Sequence, residues 1–143
     1  MKILVVDNDP GMRNLLAMAF RQEGIETHLT ESVEEAETFL RSGECGAVLM
    51  DFHLGAGASG AQFLAGWSQE ITLPPFWLVT GTPEEADVAP LQSVETFQGV
   101  ISKPFSILDL VTAVRTTAFP VAATEPPPLE ADGTADPPNI PPA

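Results

Sequence analysis

The chain has 143 residues with 20 acidic against 6 basic side chains, a net charge of -14. That balance excludes the basic footprint of a non-specific nucleic-acid binder or of a protein held on an anionic membrane. One cysteine, Cys45, excludes an internal disulfide, and no apolar stretch is long enough to span a bilayer.

Met1-Lys2 leads directly into the apolar run Ile3-Leu4-Val5-Val6, which leaves no room for a signal peptide. A cytoplasmic location is expected. Asp7 ends this first strand. Asn8-Asp9-Pro10 then reads as a helix start, with Asp9 as N-cap and Pro10 at the first helical position. Met12, Leu15, Leu16, Ala19 and Phe20 recur at helical spacing, and Gly24 ends the helix. Residues 25–30 alternate like a half-exposed strand. Ser32 and Glu35 have the spacing of a capping box before a second helix whose inner face is Val33, Ala36, Phe39 and Leu40.

The third strand is expected over 46–51, ending in Asp51. A loop rich in Gly, Ala and Ser follows, and Phe63, Leu64 and Trp67 mark a third helix. Phe76 to Thr80 is the fourth strand. Thr82-Pro83-Glu84-Glu85 reads as the start of a fourth helix, which Pro90 should cut short. Gly99 to Lys103 is the fifth strand, and a fifth helix follows with Leu108, Val111, Val114 and Ala118 inward.

Five strands alternating with five helices predict an α/β fold, a doubly wound right-handed sandwich. The short apolar runs read as parallel strands buried on both faces. Composition changes after residue 119. Positions 120–143 hold 8 of the 14 prolines, four acids and no base. This segment is expected to be a disordered acidic tail, separate from a folded domain over 1–119.

Four of the apolar runs end in a polar residue with chemistry to offer: Asp7, Asp51, Thr80 and Lys103. In a parallel sheet, ligands bind outside the carboxyl ends of the strands, so the four should meet in one crevice. The two carboxylates offer hard oxygen ligands for Mg²⁺. A carboxylate beside such an ion can attack a phosphoryl group. Thr80 and Lys103 can then bind the phosphoryl oxygens by hydrogen bond and charge.

In order and spacing, Ile3-Leu4-Val5-Val6-Asp7, Val48-Leu49-Met50-Asp51, Leu78-Val79-Thr80-Gly81 and Lys103-Pro104-Phe105 resemble the receiver domains of bacterial two-component response regulators. The resemblance runs from Lys2 to about Phe119. It implies a flavodoxin-like, CheY-like fold with five parallel strands in the order 2-1-3-4-5. It implies that Asp51 is the phospho-acceptor and that Asp7, Asn8, Asp51 and the backbone carbonyl of His53 hold Mg²⁺. Thr80 is implied as the switch hydroxyl and Lys103 as the ion-pair partner of Asp51, with Lys103-Pro104 a cis peptide. The expected partners are a histidine kinase or histidine phosphotransfer protein and an output protein not yet known.

Three positions depart from the family pattern. Asn8 stands where a second acid is usual, which implies weaker Mg²⁺ binding. Val100 stands where many receivers carry an aromatic switch residue. The fourth helix, part of the family's usual output face, looks short. With no effector segment legible after residue 119, a stand-alone receiver is expected, monomeric or weakly dimeric. It should act by protein contact or phosphorelay and be no enzyme beyond its own phosphoryl transfer and dephosphorylation. His53 is expected to affect access to Asp51 through its side chain. His28 and His53 lack metal-ligand spacing for zinc.

Two other functions compete. A receiver-shaped module that ignores phosphorylation is motivated by Asn8 and Val100. A haloacid-dehalogenase-like phosphatase is motivated by Asp7-Asn8-Asp9, which formally matches that family's Asp-x-Asp motif.

Overall fold

A computed structural model describes residues 1–54 and 57–118. The expected tail and the boundary at 119–120 lie outside the described residues, as do Gly55 and Ala56 of the loop after the third strand. The chain divides into two units, Met1–Thr112 and Ala113–Ala143. The described residues of the second unit, 113–118, are helical.

The strands are β1 (Lys2–Val6), β2 (Thr27–Thr30), β3 (Cys45–Asp51), β4 (Phe76–Thr80) and β5 (Phe97–Ser102). The helices are α1 (Pro10–Arg21), α2 (Val33–Arg41), α3 (Gly60–Ser68) and α4 (Ile107–Ala118). All strand pairs are parallel, in the order β2-β1-β3-β4-β5. This is the expected doubly wound α/β fold. β3 and β4 are buried along their whole length, which explains why both read as unbroken apolar runs.

The helix starts follow from local chemistry. Asp9 caps α1, its Oδ1 accepting the Gly11 N–H at 2.9 Å, with Pro10 in the first turn. Ser32 caps α2 by accepting the Glu35 N–H at 3.1 Å. The expected capping box there is only half formed. The Glu35 carboxylate does not return to the Ser32 N–H, which goes instead to the Thr30 hydroxyl. Glu35 turns outward to β2, meeting His28 Nε2 at 2.9 Å and accepting from the Thr30 hydroxyl at 3.1 Å. A complete capping box forms at α3, where Ser59 accepts the Gln62 N–H and Gln62 accepts the Ser59 N–H.

Three expectations need correction. The fourth of the five expected helices is not an α-helix. It is two 3-10 turns, Pro83–Glu85 and Ala89–Leu91, so the described residues hold four α-helices. Pro90 has no N–H to donate to the Ala86 carbonyl, and its ring would clash there. That leaves Pro83 to Ala89, under two turns, too little to repay helix nucleation. Leu91 takes over the packing role of a helix face. It is 0% exposed and joins the core with Leu64, Phe76 and Leu78.

Second, β5 is not buried on both faces. It is an edge strand whose residues alternate between half-buried and exposed. Its register against β4 shifts between Phe76 and Trp77, and Gly99 opposite Trp77 has a φ of 137°, which a residue with a Cβ rarely adopts. Third, Leu108 is 77% exposed rather than inward, and Leu110 and Val111 supply the buried face of that turn.

Candidate functional site

The register of the sheet delivers the four polar residues to one end. Val6 pairs with Met50, so Asp7 and Asp51 leave neighbouring strands at the same level. Asp51 pairs with Val79, which puts Thr80 one step beyond it on β4. Thr80 pairs with Ser102, and Lys103 follows. Backbone hydrogen bonds hold these ends: Phe52 N–H to the Val79 carbonyl at 3.0 Å, and Lys103 N–H to the Thr80 carbonyl at 2.7 Å. Lys103-Pro104 is a cis peptide, as the resemblance implied.

Asp7, Asp51 and Thr80 are buried. Burial of two carboxylates side by side is costly unless something offsets their charge. Lys103 does so, but not through the expected partner. Its Nζ donates to Asp7 Oδ2 at 3.3 Å, and it acts on Asp51 only through space. Burial, and then the charge of Asp7, push the Asp51 carboxyl above its ordinary value; Lys103 and the His53 N–H pull the other way. That N–H donates to Asp51 Oδ1 at 3.3 Å. Asp7 Oδ1 accepts the Asp9 N–H at 2.9 Å.

The positions read as metal ligands divide. Asp7 and Asp51 come together at the strand ends, while Asn8 and His53 are exposed at the rim. Asp9 is spent on the α1 cap, which leaves the Asp-x-Asp phosphatase reading without its second acid. No group of three or more His, Cys, Asp or Glu that could hold a metal occurs among the described residues. With Asn8 between them in sequence, the acids at these strand ends are Asp7 and Asp51.

Sequence reasoning missed three contributors. Arg13 reaches back from α1, and its Nη1 donates to the Asp7 carbonyl at 2.6 Å. A base near the start of the helix that follows the first acid was the available signal. Gly60, the first residue of α3, lies directly against the phospho-acceptor candidate. A Cβ there would sit 2.4 Å from the Asp51 carbonyl oxygen. Thr82, read only as part of a helix start, donates its N–H to Thr80 Oγ1 at 3.0 Å, and its hydroxyl meets His53 Nε2 at 3.0 Å.

Residues 3–115 match the model of the response regulator receiver domain family. The chain belongs to that family. Comparison with curated proteins returns no match. Among solved structures, this receiver is similar to the N-terminal domain of a response regulator/sensory box/GGDEF three-domain protein from Carboxydothermus hydrogenoformans. The two are 26% identical with a TM-score of 0.71, over 86% of this chain and 98% of that one. It is also similar, at 26% identity and a TM-score of 0.68, to a chain in the crystal structure of histidine kinase ThkA in complex with response regulator protein TrrA. That match covers 82% of this receiver and 98% of its counterpart. A CheY-like receiver from Methanospirillum hungatei, 19% identical with a TM-score of 0.70, shares the fold over 80% of this chain and 90% of its own.

Receivers are signalling switches of two-component systems and generally bind Mg²⁺. The donor chemistry here suits that ion. Asp7 and Asp51 are carboxylates, Asn8 carries an amide oxygen and His53 a backbone carbonyl, so every candidate donor is a hard oxygen. Mg²⁺ usually binds through one or two carboxylates and keeps several waters, so two carboxylates with neutral oxygens beside them match the type of donor set it takes. No helix among the described residues is long and apolar enough to cross a membrane.

Proposed function

We propose that this receiver accepts a phosphoryl group on Asp51 from a histidine kinase or histidine phosphotransfer protein and passes the signal on by protein contact. The observation that carries the reading is the Asp51 carboxylate itself. It is buried at the end of the central strand, with a second acid alongside and one lysine to offset them. Such a group is held ready for transfer rather than spent on structure.

In the transfer, one carboxylate oxygen of Asp51 attacks phosphorus, the bond from phosphorus to the donor nitrogen or oxygen breaks, and the donor leaves with that electron pair. Mg²⁺, held by Asp7, Asp51, the Asn8 amide oxygen and the His53 carbonyl, would neutralise charge on the phosphoryl oxygens. Lys103 would exchange Asp7 for those oxygens, and Thr80 would turn to donate its hydroxyl to one of them. The acyl phosphate then favours one of two conformations through these contacts. The kinase-bound neighbour TrrA supports a kinase as donor. The net charge supports partners with basic rather than acidic contact surfaces.

The two-acid pocket favours a second reading, a receiver-like module that works without phosphorylation. One experiment separates them. Acetyl phosphate and Mg²⁺ should add a single phosphoryl group by intact mass, and Asp51→Ala should lose it. A folded protein that stays unlabelled at high Mg²⁺, and with kinase donors as well, would support the second reading.

A further inference from the structure

Three contacts at the mouth of the crevice form a continuous chain. The Thr82 N–H donates to Thr80 Oγ1 at 3.0 Å. The two threonine hydroxyls lie 3.4 Å apart. The Thr82 hydroxyl and His53 Nε2 lie 3.0 Å apart. His53 stands two residues after Asp51 and Thr82 two after Thr80, so the chain ties the loop after β3 to the loop after β4 directly beyond the acceptor. Its inner end is sealed, since Thr80 is 0% exposed, while its outer end, His53, is exposed. Phe52 meets the His53 ring edge to face, with centroids 4.9 Å apart.

We propose that His53 and Thr82 form a clasp that holds Thr80 in its resting position, and that the strength of this clasp sets how readily the receiver switches. The proposal rests on the reading of Asp51 as phospho-acceptor. A threonine hydroxyl has one proton to give and two lone pairs. In the clasp, Thr80 spends one acceptor site on the Thr82 N–H and faces the Thr82 hydroxyl. To serve a phosphoryl group on Asp51, Thr80 must leave these partners. A phosphoryl group can shift the equilibrium only by the difference between its contacts in the two states. Each neutral hydrogen bond removed from the resting state therefore moves the balance toward the switched state by roughly 2- to 10-fold. The side chains of His53 and Thr82 are positioning groups, acting through Thr80 rather than on the reacting atoms.

The test uses Thr82→Val, which keeps the branched shape and removes the hydroxyl, Thr82→Ser, which restores it, and His53→Ala. The first readout needs no phosphorylation: the Thr80 rotamer in the resting protein, from three-bond NMR couplings. The clasp predicts one rotamer in the wild type and in Thr82→Ser, and averaging in Thr82→Val and His53→Ala. The second readout is affinity for beryllofluoride with Mg²⁺, a phosphoryl mimic. It should tighten roughly 2- to 10-fold in Thr82→Val and His53→Ala, and by less than the product of the two in the double variant. A wild-type rotamer in both variants overturns the proposal, whatever Asp51 does. Freed rotamers with unchanged mimic affinity also overturn it. If the wild type binds no mimic and takes no phosphoryl group, the reading of Asp51 fails instead, and the rotamers alone decide whether the clasp exists.

Discussion

Two glycines of α3 should respond oppositely to the same substitution. A Cβ at Gly60 would lie 2.4 Å from the Asp51 carbonyl oxygen and 2.6 Å from Met50 Cγ. The first neighbour is backbone of the central strand and cannot swing aside. The Gly60 N–H also donates to the Phe52 carbonyl at 2.9 Å, so the helix start cannot back away without losing that bond. Overpacking of this kind costs about 1–3 kcal/mol or more. At Gly66, in the same helix, a Cβ meets nothing within 4 Å. There alanine should gain the ordinary helix preference, about 0.5–1 kcal/mol. The two variants should therefore differ by about 1.5–4 kcal/mol in urea unfolding, with Gly60→Ala below the wild type and Gly66→Ala above it. Because the obstructed atom belongs to Asp51, Gly60→Ala should also slow labelling by acetyl phosphate, and Gly66→Ala should not. Equal stability of the two variants would refute the claim that α3 is seated against the acceptor's backbone.

Further outcomes follow from burial and charge. Leu91→Ala should cost about 2–5 kcal/mol although Leu91 lies in a 3-10 turn, because the side chain is fully buried in the core; a loss below 1 kcal/mol by chemical denaturation would show that this turn is not part of the core. The Cys45 thiol is pushed up to about 11 by burial, with Sγ donating to the Ala47 carbonyl at 3.2 Å. At pH 8 only about one molecule in a thousand carries the thiolate, so iodoacetamide should modify native protein far more slowly than unfolded protein, and equal rates would contradict the buried placement. Asp51 has a raised carboxyl, so its ionisation opposes folding. Wild-type stability, measured without Mg²⁺, should fall as pH rises through that raised value. Asp51→Asn should be the more stable protein at neutral pH, with the gap closing as pH drops below the ordinary carboxylate range; a variant less stable than wild type at pH 7 would reverse the sign.

Much of this molecule is legible in the residues, for identifiable reasons. β1, β3 and β4 are buried on both faces and therefore appear as unbroken apolar runs; β3 and β4 end in the residue that matters, and in β1 it follows directly. β5 carries a similar run, Val100-Ile101, but apolar content does not reveal that a strand lies at the edge of a sheet. The signals at Thr82-Pro83-Glu84-Glu85 are genuine helix-start signals, yet Pro90 leaves too few residues for a helix to grow, and Leu91 fills the core instead. The pairing of Lys103 with Asp7 rather than Asp51 depends on ångström-scale placement of a flexible side chain. No spacing rule reports that. The same holds for Arg13, whose flexible side chain reaches back to the Asp7 carbonyl, and for Thr82, which lies in a turn that the helix signals concealed and meets His53 across the crevice.

The central claim is that Asp51, not Asp7, carries the phosphoryl group, and the most direct test is to locate the label. Protein treated with acetyl phosphate and Mg²⁺ would be reduced with borohydride, which converts an aspartyl phosphate to homoserine, and then digested and mapped by mass spectrometry. The account predicts homoserine at position 51 alone. Homoserine at position 7 would contradict it and return the Asp-x-Asp reading of Asp7-Asn8-Asp9 to consideration.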